Sequence, residues 1–279
     1  MTRSEALRVA LVAGASRGIG ADTAKAFASA GYAVVLGARD TDALARVVDE
    51  IVAEGGQAVA AATDVGDVAS MRALVDLAVD TYGRLDAAFN NATDGPMPAP
   101  LADIDPEEFD LGIRVNVRGT FLGMKFEIPA MLATGGGTIV NMASVAGLQA
   151  MTNLSAYVTG KAGIIALTRT AALDYADRGI RVNVVAPGPI LTHHLQRAGA
   201  EAQRLAAESV PMARVGTTRE IADTVLWLCS DQASFITGAT IPVDGGQLAG
   251  LKPPQMYRQG EGMVHTRAEP VIREREATP

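Results

Sequence analysis

A tyrosine and a lysine four residues apart carry the clearest chemical signal in this sequence. Tyr157 and Lys161 fall in a stretch with helical periodicity, where positions i and i+4 share one face. An ammonium group on that face favours the tyrosinate and is expected to lower the pKa of the phenol from ~10. A phenol tuned in this way can act as a general acid or base beside a hydride carrier. The pair alone also fits a solvated helix face, so the rest of the chain must decide between the two interpretations.

The glycine-rich segment 14–20 predicts a site for the pyrophosphate of a dinucleotide. It follows an apolar strand pattern, opens a helix pattern and has the spacing G-x-x-x-G-x-G. Glycines at these positions permit the tight turn, the approach of phosphate to the backbone and close packing of helix on strand. The helix N-terminus adds amide donors and a partial positive charge. The predicted cofactor contacts in this segment are Gly14, Ser16, Arg17, Gly18, Ile19 and Gly20.

The end of the second predicted strand indicates which dinucleotide binds. Ala38 stands where an acidic side chain would accept hydrogen bonds from the ribose 2′-hydroxyl of NAD, and Arg39 follows it. Arg17 lies in the glycine-rich segment. Two guanidinium groups suit a 2′-phosphate through forked, charge-assisted hydrogen bonds. We therefore predict NADP (NADPH) rather than NAD as the cofactor.

Seven short apolar runs alternate with six amphipathic stretches. The runs predict strands over residues 9–13, 33–37, 58–62, 85–90, 138–142, 181–186 and 240–243. The stretches predict helices over residues 21–30, 41–54, 68–82, 106–132, 157–177 and 218–230. Continuous apolar strands separated by helices indicate an α/β fold: a single doubly wound Rossmann domain with a mainly parallel seven-stranded sheet and helices on both faces. We assign residues 1–249 to this catalytic domain and residues 250–279 to a C-terminal extension that contacts a neighbouring subunit.

Composition excludes several other classes of function. The chain has 279 residues and a formal net charge of −7, without a basic stripe, which argues against nucleic-acid and membrane partners. Cys229 is the single cysteine, so no intrachain disulfide forms and a reducing, cytoplasmic setting is expected. The N-terminal residues show no signal-peptide layout. No cluster of His, Cys and acidic residues has metal-ligand spacing, so we expect no metal.

With these parts in this order, the chain resembles the short-chain dehydrogenase/reductase family over residues 9 to about 246. The segments Ile236-Thr237-Gly238 and Val243-Asp244-Gly245-Gly246 are similar to the 3-oxoacyl-carrier-protein reductase-like branch. The resemblance implies an oxidoreductase that interconverts a ketone, or a 3-oxoacyl group, and a secondary alcohol. It also implies a homotetramer. The further cofactor contacts that it implies are Asp64 and Val65 along the adenine, Asn90, Asn91 and Ala92 at the end of the fourth strand, and Pro187, Gly188, Ile190 and Thr192 over the carboxamide.

The same resemblance implies four catalytic residues. Asn116 matches the helix asparagine that holds a proton-relay water. Ser144, thirteen residues before Tyr157, would hold the substrate oxygen, and Tyr157 would exchange its proton. Lys161 would bind the nicotinamide ribose as well as lower the Tyr157 pKa.

The chain departs from the family pattern at two positions. Thr93 stands where the family usually has glycine after Asn-Asn-Ala, and its β-branched side chain is expected to restrict and reroute the backbone there. Gly160 stands where Ser or Ala is usual, at a cost of ~1 kcal/mol relative to Ala in a helix, which we expect close packing to offset.

The substrate and the competing functions stay open at this level. Apolar residues near the expected pocket, Leu148, Met151, Leu154 and Leu191, favour a small apolar carbonyl or alcohol substrate. A non-catalytic dinucleotide-sensing or regulatory protein on the same fold is the main alternative, because fold does not decide function. An epimerase or dehydratase of the larger relatives is disfavoured by the short C-terminal half.

Overall fold

The described part of the chain forms one seven-stranded sheet. The computed structural model describes residues 7–250; the predicted extension beyond Gly250 lies outside these residues, and the division at residue 249 stays a prediction. The strand order is β3-β2-β1-β4-β5-β6-β7, and every pairing is parallel, where we expected a mainly parallel sheet. The strands are β1 Arg8–Ala13, β2 Tyr32–Ala38, β3 Gln57–Ala62, β4 Ala87–Asn90, β5 Gly137–Met142, β6 Ile180–Pro187 and β7 Thr240–Val243.

Helices cover both faces of this sheet. They are α1 Gly18–Ser29, α2 Thr41–Ala53, α3 Val68–Tyr82, α4 Pro106–Ile113, α5 Gly119–Leu132, α6 Ser155–Tyr175, α7 His193–Arg197, α8 Gly199–Glu208 and α9 Thr218–Leu228. Buried side chains of α1, α2 and α9 form one hydrophobic core, and those of α3, α5 and α6 form the other. Because both faces are covered, β1 and β2 are continuous apolar runs rather than alternating ones.

Capping residues in the sequence fix several helix starts. The side chains of Asp40, Asp67 and Asp105 accept backbone amide hydrogen bonds at the N-termini of α2, α3 and α4. Thr217 and Glu220 form a reciprocal capping box at the start of α9. These local signals explain why the predicted starts of those four helices agree with the structure.

The predicted single helix over residues 106–132 is wrong at its centre. A π-helical turn, Arg114–Arg118, separates α4 from α5. The Asn116 side-chain amide donates to the Gly112 carbonyl oxygen at 2.9 Å, the acceptor four residues earlier in the chain. A side chain that enters the i to i−4 ladder in this way locally widens a helix.

The sheet topology fixes where a ligand would bind. The chain runs from β1 outwards to β3 on one side and then crosses to β4 on the other side of β1. At such a switch point the carboxyl ends of two neighbouring strands leave a crevice, here between β1 and β4. None of the helices within residues 7–250 is long and apolar enough to span a membrane.

Candidate active site

The four predicted catalytic residues come from three elements that meet at the carboxyl ends of β4 and β5. Ser144 follows β5 with an extended backbone, and its hydroxyl accepts from the Ala146 amide at 3.2 Å. Tyr157 and Lys161 lie in the first two turns of α6, and Asn116 is in the π-helical turn. The tertiary structure therefore brings together residues that are up to 45 positions apart in the chain, as the difference between 161 and 116 shows.

The tyrosine and lysine face each other as their spacing predicts. The Lys161 Nζ lies 5.5 Å from the centre of the Tyr157 ring and donates to the Met142 carbonyl oxygen at 3.1 Å. Lys161 is 1% exposed, so its stem and ammonium group are packed inside the protein.

The expectation that Lys161 lowers the pKa of Tyr157 is wrong for the protein without a bound cofactor. Burial raises the pKa of Tyr157 above its ordinary value, and a hydrogen bond with Ser144 offsets only part of that rise. Burial also lowers the pKa of Lys161 to about 7, because a low-dielectric surrounding disfavours the ammonium form. The physical reason for the difference is desolvation, which is the largest cause of the pKa shift of both groups.

Asn116 is held on several sides and is fully buried. Its side-chain amide donates to the backbone oxygens of Asp94, at 2.6 Å, and Gly112, at 2.9 Å. Its side-chain oxygen accepts from the Thr93 hydroxyl at 2.9 Å. The asparagine amide thus ties the loop after β4 to the junction of α4 and α5.

The glycine-rich loop has the shape that a pyrophosphate needs. Gly14 has φ +88, and a Cβ there would lie 2.7 Å from the Ala92 amide nitrogen; a Cβ at Gly20 would overlap the Gly14 carbonyl oxygen. The Gly14 oxygen also accepts from the Asn91 side chain at 2.8 Å. No side chain caps α1 and no acidic residue lies in its first turn, so its amide end is open to an anion. These residues fit the phosphates of a dinucleotide.

The predicted adenine contacts lie beside that loop. Val65 lines a narrow cleft together with Asn90 and Ala92, at the crevice between β1 and β4. The Asp64 carboxylate accepts from the Gly66 amide at 2.9 Å and pairs with Arg114 at 2.9 Å. Although burial alone would raise it, these bonds hold the pKa of Asp64 below its usual value.

The two arginines predicted to read the 2′-phosphate are both ion-paired. Arg39 pairs with Asp94 at 3.0 Å, and Arg17 pairs with Asp40 at 3.0 Å. The side chains of Arg39 and Arg17 are 66% and 57% exposed, so both guanidinium groups are open to solvent as well. Exposed pairs of this kind are weak, and a dianionic phosphate can compete for either arginine.

The segment after β6 lies beside the end of β7. The Gly188 amide donates to the Val243 oxygen at 3.1 Å, and Ile190 forms an isolated parallel bridge with Gly216. Thr192 precedes α7, without a side-chain capping bond. A cavity of about 260 Å³ is lined here by Ile190, but by none of the four predicted catalytic residues. The structure therefore places Pro187, Gly188, Ile190 and Thr192 on one short segment at the carboxyl end of β6, beside β7.

Sequence reasoning missed Glu127, which is fully buried in α5. Its Oε2 accepts from the Asn90 side-chain amide at 3.1 Å, and Asn90 also donates to Asn141 at 3.0 Å. The other carboxyl oxygen of Glu127 has no hydrogen-bond partner among the described residues. Burial raises the pKa of Glu127 to about 8, so the group is mainly a neutral acid at neutral pH. The single acidic residue of the mostly apolar α5 was the available signal.

The parallel doubly wound sheet, with a glycine-rich loop at its switch point, defines a Rossmann-type dinucleotide-binding protein. A family profile described as enoyl-(acyl carrier protein) reductase matches residues 14–247. The chain belongs to the short-chain dehydrogenase/reductase family, which confirms the resemblance seen in the sequence. Membership implies a nicotinamide dinucleotide cofactor.

Characterised relatives agree with this family. The chain is 44% identical over 241 residues to cyclohexanol dehydrogenase of Acinetobacter sp. (strain SE19), covering 85% of this chain and 94% of that protein. It is 41% identical to the A-factor type gamma-butyrolactone 1′-reductase (1S-forming) of Streptomyces virginiae, covering 86% and 95%. The crystal structure of levodione reductase superposes with a TM-score of 0.83 at 33% identity, covering 88% of this chain and 98% of that one. The chain is thus an oxidoreductase of the secondary alcohol and ketone type.

Proposed function

We propose that this protein is an NADP-preferring ketone reductase and secondary alcohol dehydrogenase with Tyr157 as general acid and base. The observation that carries the proposal is the meeting of Ser144, Tyr157 and Lys161 at the carboxyl end of the sheet, next to the dinucleotide crevice.

Each of these side chains has a distinct role in the proposed reaction. A bound nicotinamide dinucleotide supplies or accepts the hydride. The Ser144 and Tyr157 hydroxyls donate to the substrate oxygen, where negative charge develops during reduction. Tyr157 passes its proton to that oxygen, and the Lys161 ammonium group stabilises the tyrosinate that remains. Lys161 also binds the nicotinamide ribose, and Asn116 holds the turn from which a water relays the proton to Lys161.

The preference for NADP rests on Arg39 and Arg17. Both guanidinium groups lie at the carboxyl end of the β1–β2 region, and Ala38, the last residue of β2, offers no carboxylate to a ribose 2′-hydroxyl. A 2′-phosphate carries more charge than the Asp94 or Asp40 carboxylate that it would displace. The forked geometry of arginine suits that exchange.

We propose a cyclic ketone or the corresponding cyclic alcohol as the substrate. The relatives named for cyclohexanol and for cis-4-hydroxycyclohexanecarboxylate support a ring-borne hydroxyl, and the latter is 39% identical over 251 residues. Leu148 and Met151, predicted to lie near the pocket, are exposed apolar side chains at 41% and 37% exposure, and Met97 in the loop after β4 is 82% exposed. A surface of this composition favours contact with an apolar ring.

We also propose that the protein assembles as a homotetramer in the cytoplasm. Leu173 on α6 and Phe235 after α9 are 84% and 102% exposed, and Trp227 on α9 is 39% exposed. Exposed apolar residues on these helices favour burial against other copies of the chain. The cytoplasmic setting rests on the single cysteine.

The deciding experiment measures cofactor oxidation by the purified full chain with a panel of cyclic ketones and a 3-oxoacyl thioester. We expect turnover of at least one cyclic ketone, with a higher kcat/KM for NADPH than for NADH. Binding of a dinucleotide without turnover of any panel member would instead favour the non-catalytic sensor. Preference for the thioester would move the substrate assignment to the acyl class.

A further inference from the structure

The two positions at which this chain departs from its family pattern meet at one residue. Thr93 donates a hydrogen bond to Asn116 from the loop after β4, and a Cβ at Gly160 of α6 would crowd the Asn116 side chain. We propose that Thr93 is a positioning residue that fixes Asn116 through its hydroxyl, and that Gly160 provides the space for the fixed side chain. This inference rests on the proposed function, because it assigns a supporting residue to the proposed catalytic Asn116.

The hydrogen bonds around Asn116 allow only one orientation of its amide. The NH₂ group points at two carbonyl oxygens, those of Asp94 and Gly112, at 2.6 and 2.9 Å. The side-chain oxygen must therefore face the other way, where the Thr93 Oγ1 donates to it at 2.9 Å. A rotated amide would place oxygen against two carbonyl oxygens and nitrogen against a hydroxyl. The Thr93 hydroxyl completes the set with the only donor that this pattern requires.

Glycine at position 160 leaves space for the Asn116 side chain in this orientation. A Cβ at residue 160 would lie 3.1 Å from the Asn116 Cβ, which is closer than ordinary van der Waals contact, and at an ordinary contact distance of 3.5 Å from its Cγ. Asn116 cannot readily retreat, since Thr93, Asp94 and Gly112 hold its other end. Gly160 and Thr93 thus both help to position the Asn116 side chain.

The consequence is a link between a loop at the crevice and the turn that carries Asn116. Asp94, which accepts from Asn116 through its backbone, also pairs with Arg39 through its carboxylate. The π-helical turn has lost its regular ladder at Asn116, so this side chain supplies bonds that the backbone does not. Without the Thr93 hydroxyl the buried Asn116 oxygen loses the donor that residues 7–250 provide, and the link between the loop and the turn is weakened.

Thr93→Val tests the proposal because it keeps the branched shape and removes the hydroxyl. Thr93 is exposed, so the variant is expected to fold. We expect kcat to fall by about tenfold, with little change in the dissociation constant of the cofactor, as for a misplaced catalytic group. Thr93→Ser restores the donor and should recover most of the lost kcat. Thr170→Val, which removes a hydroxyl from the exposed face of α6, is the matched control and should keep kcat unchanged. Equal kcat in Thr93→Val and wild type would overturn the proposal.

A second pair of measurements separates this inference from the proposed function. Hydrogen exchange of the Asn116 side-chain amide, followed by NMR, needs no turnover; we expect faster exchange in Thr93→Val and wild-type exchange in Thr93→Ser. If wild type turns over no substrate, the proposed function fails while this exchange result still decides whether Thr93 fixes Asn116.

Gly160→Ala should also lower kcat, and the double variant Thr93→Val/Gly160→Ala should lose less kcat than the product of the two single losses. Independent, multiplicative losses would contradict a shared action on Asn116.

Discussion

The Lys161 ammonium nitrogen lies 5.5 Å from the centre of the Tyr157 ring, while its hydrogen bond goes to the Met142 backbone oxygen at 3.1 Å. The lysine is therefore anchored to the end of β5 and presented to the tyrosine by α6. Burial moves the pKa of the lysine down to about 7 and the pKa of the tyrosine up. In the proposed mechanism, anionic charge on the tyrosine or the substrate oxygen would favour the ammonium form of Lys161.

Replacing Tyr157 with phenylalanine removes the proposed proton donor and leaves the ring in place. We expect kcat to fall by about 10² to 10⁴, the usual contribution of a general acid or base. Cofactor binding, measured by fluorescence titration, should stay within a few-fold of wild type. Tyr175→Phe, at the other end of α6, is the matched control and should keep full activity. A Tyr157→Phe variant with near-normal kcat would remove Tyr157 from the mechanism.

Arg39→Gln tests the choice of dinucleotide. Loss of a guanidinium group that binds a 2′-phosphate should raise KM for NADPH by roughly 10- to 100-fold and leave KM for NADH nearly unchanged, in line with a charged hydrogen bond of ~1.5–3 kcal/mol. Arg46→Gln removes an exposed charge of the same type from α2 and should change neither value. Parallel changes in both KM values for Arg39→Gln would show that the arginine does not read the phosphate.

Gly20→Ala tests the cradle formed by the glycine-rich loop. A methyl group at residue 20 would overlap the Gly14 carbonyl oxygen and approach the Asn91 side chain to 2.7 Å, so the loop must shift. We expect loss of the thermal stabilisation that added dinucleotide gives to wild type. Gly55→Ala is the control: its φ of +84 also disfavours alanine, but the space around it is open. That variant should lose stability and still respond to the cofactor, which separates a general loss of stability from damage to the site.

The buried Glu127 predicts a specific dependence of stability on pH. Its pKa rises from 4.5 to about 8 on folding, so between these values the folded protein keeps a proton that the unfolded chain has released. The contribution of Glu127 to the free energy of unfolding therefore falls as pH rises through this window, by at most ~1.4 kcal/mol per pH unit.

Glu127→Gln removes the titration and keeps an oxygen for the bond from Asn90. Urea unfolding at several pH values should show that the free energy of unfolding of the variant rises relative to that of wild type from about pH 5 to pH 8. Above that range the difference between the two should be constant. At low pH, the difference in free energy of unfolding between variant and wild type measures the cost of burying an amide, which does not depend on the titration of Glu127. A difference that does not change with pH would show that Glu127 is ionised in the folded protein.

Much of the fold and part of the candidate site could be read from the sequence because the signals are local. Continuous apolar runs gave the strands, and Asp and Thr caps gave several helix starts. The glycine-rich segment forms the predicted turn before α1 because the positive φ angles of Gly14 and Gly18 are a local property of glycine. The spacing of Tyr157 and Lys161 on one helix face is likewise a property of the chain itself.

The remaining features depend on groups that are distant in the chain. The π-helical turn at Asn116 follows from bonds to Thr93, Asp94 and Gly112, and no local pattern distinguishes it from a regular helix. The ion pairs of Arg39 and Arg17, and the contact of Glu127 with Asn90, appear only once the strand ends are side by side.

The pKa values show the same division between features set by neighbouring residues and features set by the folded structure. The sequence determined that an ammonium group would lie near a phenol, and folding determined how deeply both would be buried. Desolvation depends on the complete surroundings of a group, whereas helical spacing depends on four residues of one chain segment. The sequence by itself therefore determined the class of chemistry and the scaffold, and the tertiary structure decided the protonation and the positioning of the residues proposed to perform it.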